Sequence, residues 1–493
     1  MSVDGQTDRT MEGLAEACRG ALGTRAVVTE AAELRTYECD GLSAYRSTPG
    51  LVVLPETAEQ VAFVVRRCAA LHVPFVARGS GTGLSGGALP RTDGVLIVLS
   101  RMRAIRELAV EDERAVVEPG VINLHVTKAV AGDGDHYAPD PSSQQVCSIG
   151  GNVAENSGGA HCLKYGFTAH HVTGLEMVMP DGTVERFGGK APDPVGYDLV
   201  GAVVGSEGTL GVVTEVTVRL TRDAEAVQTL LAGFRDVEHA GAAVSAIIAA
   251  GIVPAAIEMM DALAIEAAEA AVQCGYPAGA GAVLVVELDG PAAEVEEQLD
   301  EVERHCSQAE AFEIRTAVDD VERALIWKGR KSAFAAVGRI SPDYIVQDGV
   351  IPRTALPEVL QAIESLATDQ GVRVANVFHA GDGNLHPLVL FDAEAGETEH
   401  AEEVSRAILD LCLERGGSIT GEHGVGADKK GHMAAMYGEV DLDVMQLVRC
   451  AFDPDGICNP GKIFPTPRLC GERPGRHSGA PHPLAEAGIA DVF

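Results

Sequence analysis

A run of glycines and hydroxyl residues directly after a strand-like segment constrains this sequence most. The segment Val73–Ala77 is apolar, and five glycines then occur within residues 79–87. Such a backbone can approach a ligand closely and adopt positive φ, and its successive N–H groups form a concave site for anions. A flexible turn is the alternative. The run predicts a phosphate-binding loop made of Arg78, Gly79, Ser80, Gly81, Thr82, Gly83, Gly86 and Gly87.

Two common phosphate-binding motifs do not fit this loop. No Gly-Lys-Ser/Thr follows it, as a Walker loop would require. Pro90 interrupts the segment where the helix of a Rossmann fingerprint should run. The loop therefore predicts a different nucleotide-binding fold.

Two further segments rich in glycine follow along the chain. Residues 132–166 contain many small polar groups, and a loop-heavy segment of this length in a compact domain usually lines a site. An ordinary irregular connection is the alternative. Residues 205–211 (GSEGTLG) then lead into a strand-like segment that ends at Leu220.

The hydrophobic pattern predicts four regions along the chain. Residues 1–44 form a helical lead-in, and residues 45–222 contain short strands, including a hairpin with an Asp-Gly turn at residues 181–182. Residues 223–465 alternate strands at 227–232, 283–288, 344–350, 374–379 and 386–391 with alanine-rich helical segments at 236–250, 260–273, 291–305, 355–369 and 400–414. Residues 466–493 indicate a loop or disordered tail.

Composition excludes several classes of protein. The formal net charge of −34 argues against nucleic acid or an anionic membrane surface as a partner. The eleven cysteines include no Cys-x-x-Cys pair, so iron–sulfur and zinc-ribbon signatures are absent. The N-terminus is polar and acidic, unlike a signal peptide, so we expect a cytoplasmic protein with reduced thiols. Residues 240–257 lack charge but contain Gly251 and Pro254, which favours a buried helix, a turn and a strand over a membrane span.

Histidines and a carboxylate cluster in two glycine-bounded motifs of the third region. His379 and His386 flank an Asp-Gly-Asn turn that can bring their strands together. Glu422 and His423 follow about forty residues later in Gly-Glu-His-Gly. Two imidazoles and one carboxylate are a common three-ligand set for a divalent metal, which leaves His423 for proton transfer. The alternative is that each histidine is a hydrogen-bonded structural residue.

The three glycine-rich segments, in this order, resemble the FAD-binding domain of the vanillyl-alcohol oxidase and para-cresol methylhydroxylase (PCMH) superfamily. Within it the chain is similar to the glycolate oxidase FAD subunit and to D-lactate and D-2-hydroxyglutarate dehydrogenases. The resemblance implies an α+β fold: a two-part FAD-binding domain of the PCMH type, an α+β substrate domain that caps it, and a C-terminal helical segment that returns to the flavin. Besides the first loop, it places along the FAD the residues Asp140, Ser142, Ser143, Gly150, Gly151, Asn152, Ser157, Gly158, Val213 and Asn459. No histidine lies between Val73 and His125, so we expect non-covalent FAD.

The resemblance also implies roles for the histidine motifs. In relatives that use a metal, the residues matching His379, His386 and Glu422 hold a zinc-like ion, which we expect to be Zn or Mn here, and the residue matching His423 is the base. Arg330, in Trp-Lys-Gly-Arg-Lys, matches the arginine that pairs with the substrate carboxylate. A solvated basic patch is the alternative for that segment.

These residues predict FAD-dependent oxidation of a small D-2-hydroxy acid to the 2-oxo acid. No lysine occurs between Lys331 and Lys429, where the D-2-hydroxyglutarate enzymes use one, so glycolate or D-lactate is favoured. One alternative is the flavoprotein subunit of a complex that passes electrons to an iron–sulfur partner, with peripheral membrane association through that partner. Another is the aldehyde- or alkyl-glycerol-type chemistry of other superfamily members. A homodimer is also expected.

Overall fold

The structure is a computed structural model that describes residues 3–191 and 196–472. Its helices are α1 (Val3–Leu22), α2 (Ala31–Leu34), α3 (Ala58–Leu71), α4 (Asn123–Val130), α5 (Ile149–Glu155), α6 (Cys162–Tyr165), α7 (Leu199–Val203), α8 (Val237–Ala249), α9 (Ala262–Val272), α10 (Ala292–Gln308), α11 (Asp320–Val337), α12 (Leu356–Gln370), α13 (Thr398–Glu414), α14 (Met433–Met436) and α15 (Glu439–Phe452). The predicted tail lies outside the described residues from position 473 onward.

The strands complete the mixed architecture. They are β1 (Val27–Val28), β2 (Leu51–Val53), β3 (Phe75–Arg78), β4 (Val95–Val98), β5 (Ile105–Ala109), β6 (Arg114–Val117), β7 (Asp135–His136), β8 (Val172–Val178), β9 (Val184–Gly188), β10 (Val212–Arg219), β11 (Thr221–Arg222), β12 (Ala226–Phe234), β13 (Ala256–Asp261), β14 (Ala282–Gly290), β15 (Glu313–Thr316), β16 (Asp343–Val346), β17 (Gly349–Val350), β18 (Arg373–His379), β19 (Asn384–Leu385) and β20 (Pro387–Phe391). The predicted α+β class is confirmed.

The first sheet places the glycine-rich loop at a strand end. Its order is β1-β2-β4-β3, with β2 and β3 both parallel to β4. Thr57 caps the N-terminus of helix α3, and its side chain accepts a hydrogen bond from the Gln60 N–H. The apolar face of α3 packs with α1 in one core. Because β3 ends at Arg78, the loop leaves the sheet at its carboxyl edge.

The second sheet is antiparallel, and the other two glycine-rich segments adjoin it. Its order is β5-β6-β10-β8-β9, and α4, α5 and α7 contribute to its core. The predicted Asp-Gly turn joins β8 and β9, with the Gly182 N–H donating to Met179 O. Its last strand, β10, follows residues 205–211 and carries Val213.

A third sheet dominates the remainder of the chain. Its order is β15-β12-β14-β13-β18-β19-β17, and β20 pairs with both β18 and β16. Helices α8, α10, α12 and α13 bury one face, and α9 and α11 bury the other. This arrangement lets β18, β19 and β20 bring the two predicted histidines together at one end of the sheet.

Several sequence-based boundaries were wrong. The strand predicted at 344–350 is divided into β16 and β17, and α11 was not predicted because Gly329 and a basic run interrupt its apolar pattern. The segment 132–166 is not all loop, since β7, α5 and α6 lie within it. A disulfide joins Cys450 to Cys470, so the expectation of reduced thiols is wrong for this pair.

The uncharged segment 240–257 folds as predicted. It contributes most of α8, a connection through Pro254 and the start of β13, and its apolar side chains enter the core. Across residues 3–191 and 196–472, no helix combines the length and apolarity needed to cross a membrane.

A buried ionic bridge ties the first two sheets to the third. The imidazole of His161 lies 3.0 Å from Asp140 Oδ2 and 3.1 Å from Glu287 Oε1. Arg323 donates two hydrogen bonds to Glu287, and the Trp327 indole N–H donates a third. Burial opposes the charge on His161, but the carboxylates of Asp140 and Glu287 raise its pKa to about 10. At neutral pH a charged imidazole therefore joins two carboxylates from different domains.

Replacing His161 should weaken this domain contact. We expect His161→Asn to cost about 3 kcal/mol, because the charge that links the two buried carboxylates is lost, although Arg323 still pairs with Glu287 and Lys331 with Asp140. His136→Asn is the matched control, since His136 pairs with Asp223 near the surface and should cost less than about 1 kcal/mol. Urea unfolding monitored by the emission of Trp327, the only tryptophan of the chain, measures both variants. Equal midpoints for the two variants would contradict the bridge.

Candidate active site

One large cavity lies where the glycine-rich loops meet the third sheet. Its volume is about 830 Å³. The loops of the first two sheets form one wall, and Lys331, Phe334, Tyr344, His386 and His423 lie on the other. The cavity is therefore long enough to run from the predicted phosphate loop to the predicted histidine cluster.

Most residues predicted to bind the cofactor line this cavity. Those on its wall are Arg78, Gly79, Ser80, Gly81, Thr82, Gly83, Gly87, Ser142, Ser143, Gly150, Gly151, Asn152, Ser157 and Val213. The close packing explains two of the glycines. A Cβ on Gly79 would lie 2.0 Å from Ser148 Oγ, and a Cβ on Gly150 would lie 2.6 Å from Pro119 Cβ.

The other four predicted cofactor residues lie behind the wall. Gly86 contacts Ala427 and Asp140 binds His161. A Cβ on Gly158 would lie 2.7 Å from Glu422 Oε2, so this glycine makes room for a predicted metal ligand. Asn459 donates its side-chain amide to Gly87 O and Glu207 O, at 2.9 and 2.7 Å, which ties the C-terminal segment to two of the loops.

The three predicted metal ligands converge on one point. Glu422 Oε1 lies 3.2 Å from His379 Nε2 and 3.0 Å from His386 Nε2. The two imidazole rings are perpendicular, with centroids 5.0 Å apart. Burial opposes ionisation of Glu422, but the hydrogen bonds from both histidines hold its pKa well below the usual range. The carboxylate is therefore ionised.

The outer nitrogens of both rings are held by groups behind them. His379 Nδ1 lies 2.7 Å from Glu258 Oε1, and His386 Nδ1 lies 3.3 Å from the backbone oxygen of Gln347. Such partners fix the tautomer of a metal-ligating histidine and leave Nε2 free for the ion. With three ligand atoms within 4.8 Å of one another, this set fits a divalent cation.

A buried carboxylate, Asp348, fixes the loop that carries Glu422 and His423. It accepts hydrogen bonds from the N–H groups of Gly421, Glu422 and His423, and its Oδ2 lies 3.3 Å from Lys429 Nζ. Burial opposes its charge, but His423 and Lys429 keep its pKa below the usual range. A permanent negative charge therefore organises this loop.

His423 lies beside the metal ligands and faces the cavity. Its ring stacks on His386 with centroids 4.9 Å apart. Burial lowers the pKa of His423 to about 4, although the nearby Asp348 opposes that change. Within the described part of the chain, its Nδ1 is buried without a hydrogen-bond partner. A neutral imidazole at the cavity wall is suited to accept a proton.

Arg330 lies beneath the site rather than on the cavity wall. It is 2% exposed, and its Nη2 lies 2.6 Å from Glu258 Oε2. Glu258 therefore contacts both Arg330 and His379. The pairing of Arg330 with a substrate carboxylate stays a prediction, while its neighbours on α11, Lys331 and Phe334, line the cavity.

A buried carboxylate, Glu207, connects the loop at 421–426 to the first domain. Glu207 accepts hydrogen bonds from the N–H groups of Val425 and Gly426, both at 2.7 Å. Glu155 lines the cavity nearby, and burial and the charge of Glu207 raise its pKa well above the usual range. The loop is thus held from both domains.

Sequence reasoning missed Glu258, Asp348, Glu155 and Glu207. Glu258 is a carboxylate in the middle of the largely apolar strand β13, which is an unusual place for a charge that has no task. Asp348 lies within the segment in which a lysine was expected for a dicarboxylic substrate. Glu155 and Glu207 lie within the glycine-rich segments, where the small residues gave the stronger signal.

Comparison with known proteins agrees with this geometry. The family profile described as "FAD binding domain" matches residues 49–188, and the one described as "FAD linked oxidases, C-terminal domain" matches residues 223–463. The glycolate oxidase subunit GlcD of Escherichia coli (strain K12) is 53% identical over 89% of this chain and 88% of its own length. The chain belongs to the FAD-linked oxidases. The cofactor of this FAD-linked oxidase is therefore FAD, as predicted.

More distant proteins extend the comparison of this FAD-linked oxidase. The mitochondrial D-lactate dehydrogenase [cytochrome] of Arabidopsis thaliana is 30% identical over 86% of the chain and 74% of its own length. The structure of p-cresol methylhydroxylase with substrate bound superposes with a TM-score of 0.76 at 17% identity, covering 92% and 96% of the two chains. The PCMH-type fold and the resemblance to this superfamily are confirmed.

Proposed function

We propose that this FAD-linked oxidase converts glycolate or D-lactate to the corresponding 2-oxo acid. The observation that carries the proposal is the single cavity that joins the glycine-rich loops to the cluster of His386, Glu422 and His423. A relative with 53% identity is named for glycolate and one with 30% identity for D-lactate, which supports a substrate of this class.

The loops would hold FAD without a covalent bond. Small residues leave space for the pyrophosphate, and the hydroxyl groups of Ser80, Thr82, Ser142 and Ser143 can donate to it. FAD, when bound, accepts the hydride from C2 of the acid at its N5. The FAD-binding loops and His423 lie on one cavity, so the chain can present C2 of the acid to the ring.

The cluster would hold a divalent cation, Zn or Mn. His379, His386 and Glu422 supply two imidazoles and one carboxylate, and Glu258 and Gln347 O orient the rings. If held by these residues, a cation would supply Lewis-acid chemistry that lowers the pKa of the 2-hydroxyl, and its positive charge would offset the acidic surroundings for an anionic substrate.

His423 would take the proton from the 2-hydroxyl. Its ring faces the cavity, and Asp348 fixes the residue by accepting the backbone N–H of His423 at 2.8 Å. Once the ring is protonated, the buried carboxylate of Asp348 stabilises the new charge. Arg330 and Lys331, two cations of α11, would orient the substrate carboxylate.

The far wall of the cavity favours a small acid. Phe334, Tyr344 and Val346 lie on the wall that also carries His386. Apart from Lys331, which is assigned to the substrate's own carboxylate, they offer apolar contact where a second carboxylate would need a further cation. This chemistry fits glycolate and D-lactate better than D-2-hydroxyglutarate.

Electrons must then leave the reduced flavin. The relative from Escherichia coli is named as a subunit. We infer that this protein also passes electrons to a protein partner. A chain that instead built a bond, as the alkyl-glycerol-type alternative does, would not leave its flavin reduced after adding a hydroxy acid.

Anaerobic flavin reduction tests the function. Glycolate and D-lactate should bleach the oxidised flavin absorbance, whereas L-lactate and D-2-hydroxyglutarate should bleach it far more slowly. In His423→Ala the rate should fall by about 10²–10⁴-fold, because general-base catalysis is worth that much, while the FAD content is unchanged. Stopped-flow absorbance measures each rate.

The exposed His125 provides the matched control for that substitution. His125→Ala should reduce its flavin at the wild-type rate. A yellow wild-type protein that none of the four acids bleaches would contradict the proposal, and a near-normal rate in His423→Ala would exclude that residue as the base.

Metal analysis tests the cation. The purified holoprotein should contain about one Zn or Mn per chain, and Glu422→Gln should contain less than a tenth of that, because the charged ligand is lost. Glu403→Gln, on the exposed face of α13, is the control. Elemental analysis gives the stoichiometry independently of activity. Active wild-type protein that contains no divalent metal would contradict the assignment.

A further inference from the structure

Helix α15 buries polar side chains and exposes apolar ones. Its buried side chains are polar: Gln446 and Arg449 are 5% and 2% exposed. Its outer face is apolar, with exposed fractions of 75% for Val440, 55% for Val444, 57% for Leu447 and 44% for Val448. These four positions recur at the spacing of one helix face. A surface helix normally shows the opposite arrangement.

The buried polar face has a structural task. Arg449 donates to Cys458 O at 2.8 Å and lies 3.2 Å from Glu472 Oε2. Gln446 accepts hydrogen bonds from the N–H groups of Arg468 and Leu469. The helix is therefore attached to the fold by polar contacts, and its apolar face is left for another purpose. An exposed apolar patch of this kind marks an interaction site.

Acidic groups lie at the N-terminal end of this apolar face. Glu439 and Asp441 are exposed there, with Glu439 3.6 Å from Arg468, and the whole chain carries a net charge of −34. A second copy would bring these acids against those of its partner, which is unfavourable. A protein with an apolar contact surface and a basic rim would instead be attracted over a long range.

The helix also leads directly to the cofactor cavity. Phe452, its last residue, packs against Phe187 with ring centroids 6.2 Å apart. The chain then pairs with β3, where the Phe75 N–H donates to Ile457 O and the Asn459 N–H donates to Phe75 O. The Asn459 side chain reaches Gly87 O on the phosphate loop. A protein seated on α15 would thus lie beside the flavin domain.

We propose that the outer face of α15 is the docking site for an electron-accepting protein that has an apolar contact surface and a lysine- or arginine-rich rim. This inference rests on the proposed function, which leaves the flavin reduced. The reduced flavin would give two electrons, one to each of two successive one-electron acceptors, and release its proton to solvent. The oxidised flavin is then ready for another acid.

Cytochrome c is a suitable probe, because it is a basic one-electron acceptor. The holoenzyme is reduced anaerobically with glycolate and mixed with cytochrome c, and the haem absorbance gives the second-order rate constant. Val444→Lys/Leu447→Lys should lower this constant by about tenfold, since it adds two charges of the wrong sign to the contact. Increasing salt should slow the wild type.

The matched control is Val318→Lys/Val321→Lys. These valines are 86% and 77% exposed near the start of α11, a helix whose inner face is apolar in the ordinary way. The control adds the same charge and should stay within about twofold of wild type. All three proteins should reduce dichlorophenolindophenol, a small acceptor, at the same rate.

Several results would overturn the proposal. Equal cytochrome c rates for the wild type and both variants would do so. So would light scattering that shows a wild-type dimer and a monomeric Val444→Lys/Leu447→Lys variant, because the occupant would then be a second copy. A lysine effect that disappears in a chain ending at Glu472 would also overturn it, because the occupant of the face would then be residues 473–493 and not the acceptor. Reducing the flavin with dithionite keeps this test independent of the proposed substrate.

Discussion

The carboxylate of Asp348 is the interaction on which the site depends. It is fully buried and accepts three consecutive backbone N–H groups, from Gly421 to His423, and it pairs with Lys429. A short loop rich in glycine has little conformational preference of its own. The hydrogen bonds to the buried carboxylate hold the loop in one conformation, and this conformation sets the positions of Glu422 and His423.

The same loop is also the point of contact between the two domains. Glu207 of the FAD-binding domain accepts the next two N–H groups after Gly424, and Gly158 provides the space that Glu422 occupies. The His161 bridge joins the domains near the first half of α11, where Arg323 and Trp327 donate to Glu287. The cofactor loops and the histidine cluster therefore face one cavity because several buried charges are matched across a domain boundary.

Sequence reasoning reached the parts of this arrangement that are local in the chain. The glycine-rich loop, the Asp-Gly hairpin and the convergence of His379 and His386 each depend on neighbouring residues, and the structure has all three. The partners of those groups could not be predicted. Glu258 lies 121 residues before His379, and no local pattern indicates that β13 and β18 are adjacent. The resemblance implied a C-terminal helical segment, but the apolar outer face of α15 could not be predicted, because which side chains are buried appears only when the fold is known.

The central claim is that flavin and histidine cluster share one cavity and act on the same small acid. A crystal structure of the oxidised holoenzyme with oxalate, an acid that cannot give up a hydride, tests it most directly. We expect the flavin ring to lie on the wall formed by the glycine-rich loops, with oxalate between that ring and the side chains of His386, Glu422 and His423. A flavin ring turned away from His423, or oxalate bound elsewhere, would contradict it.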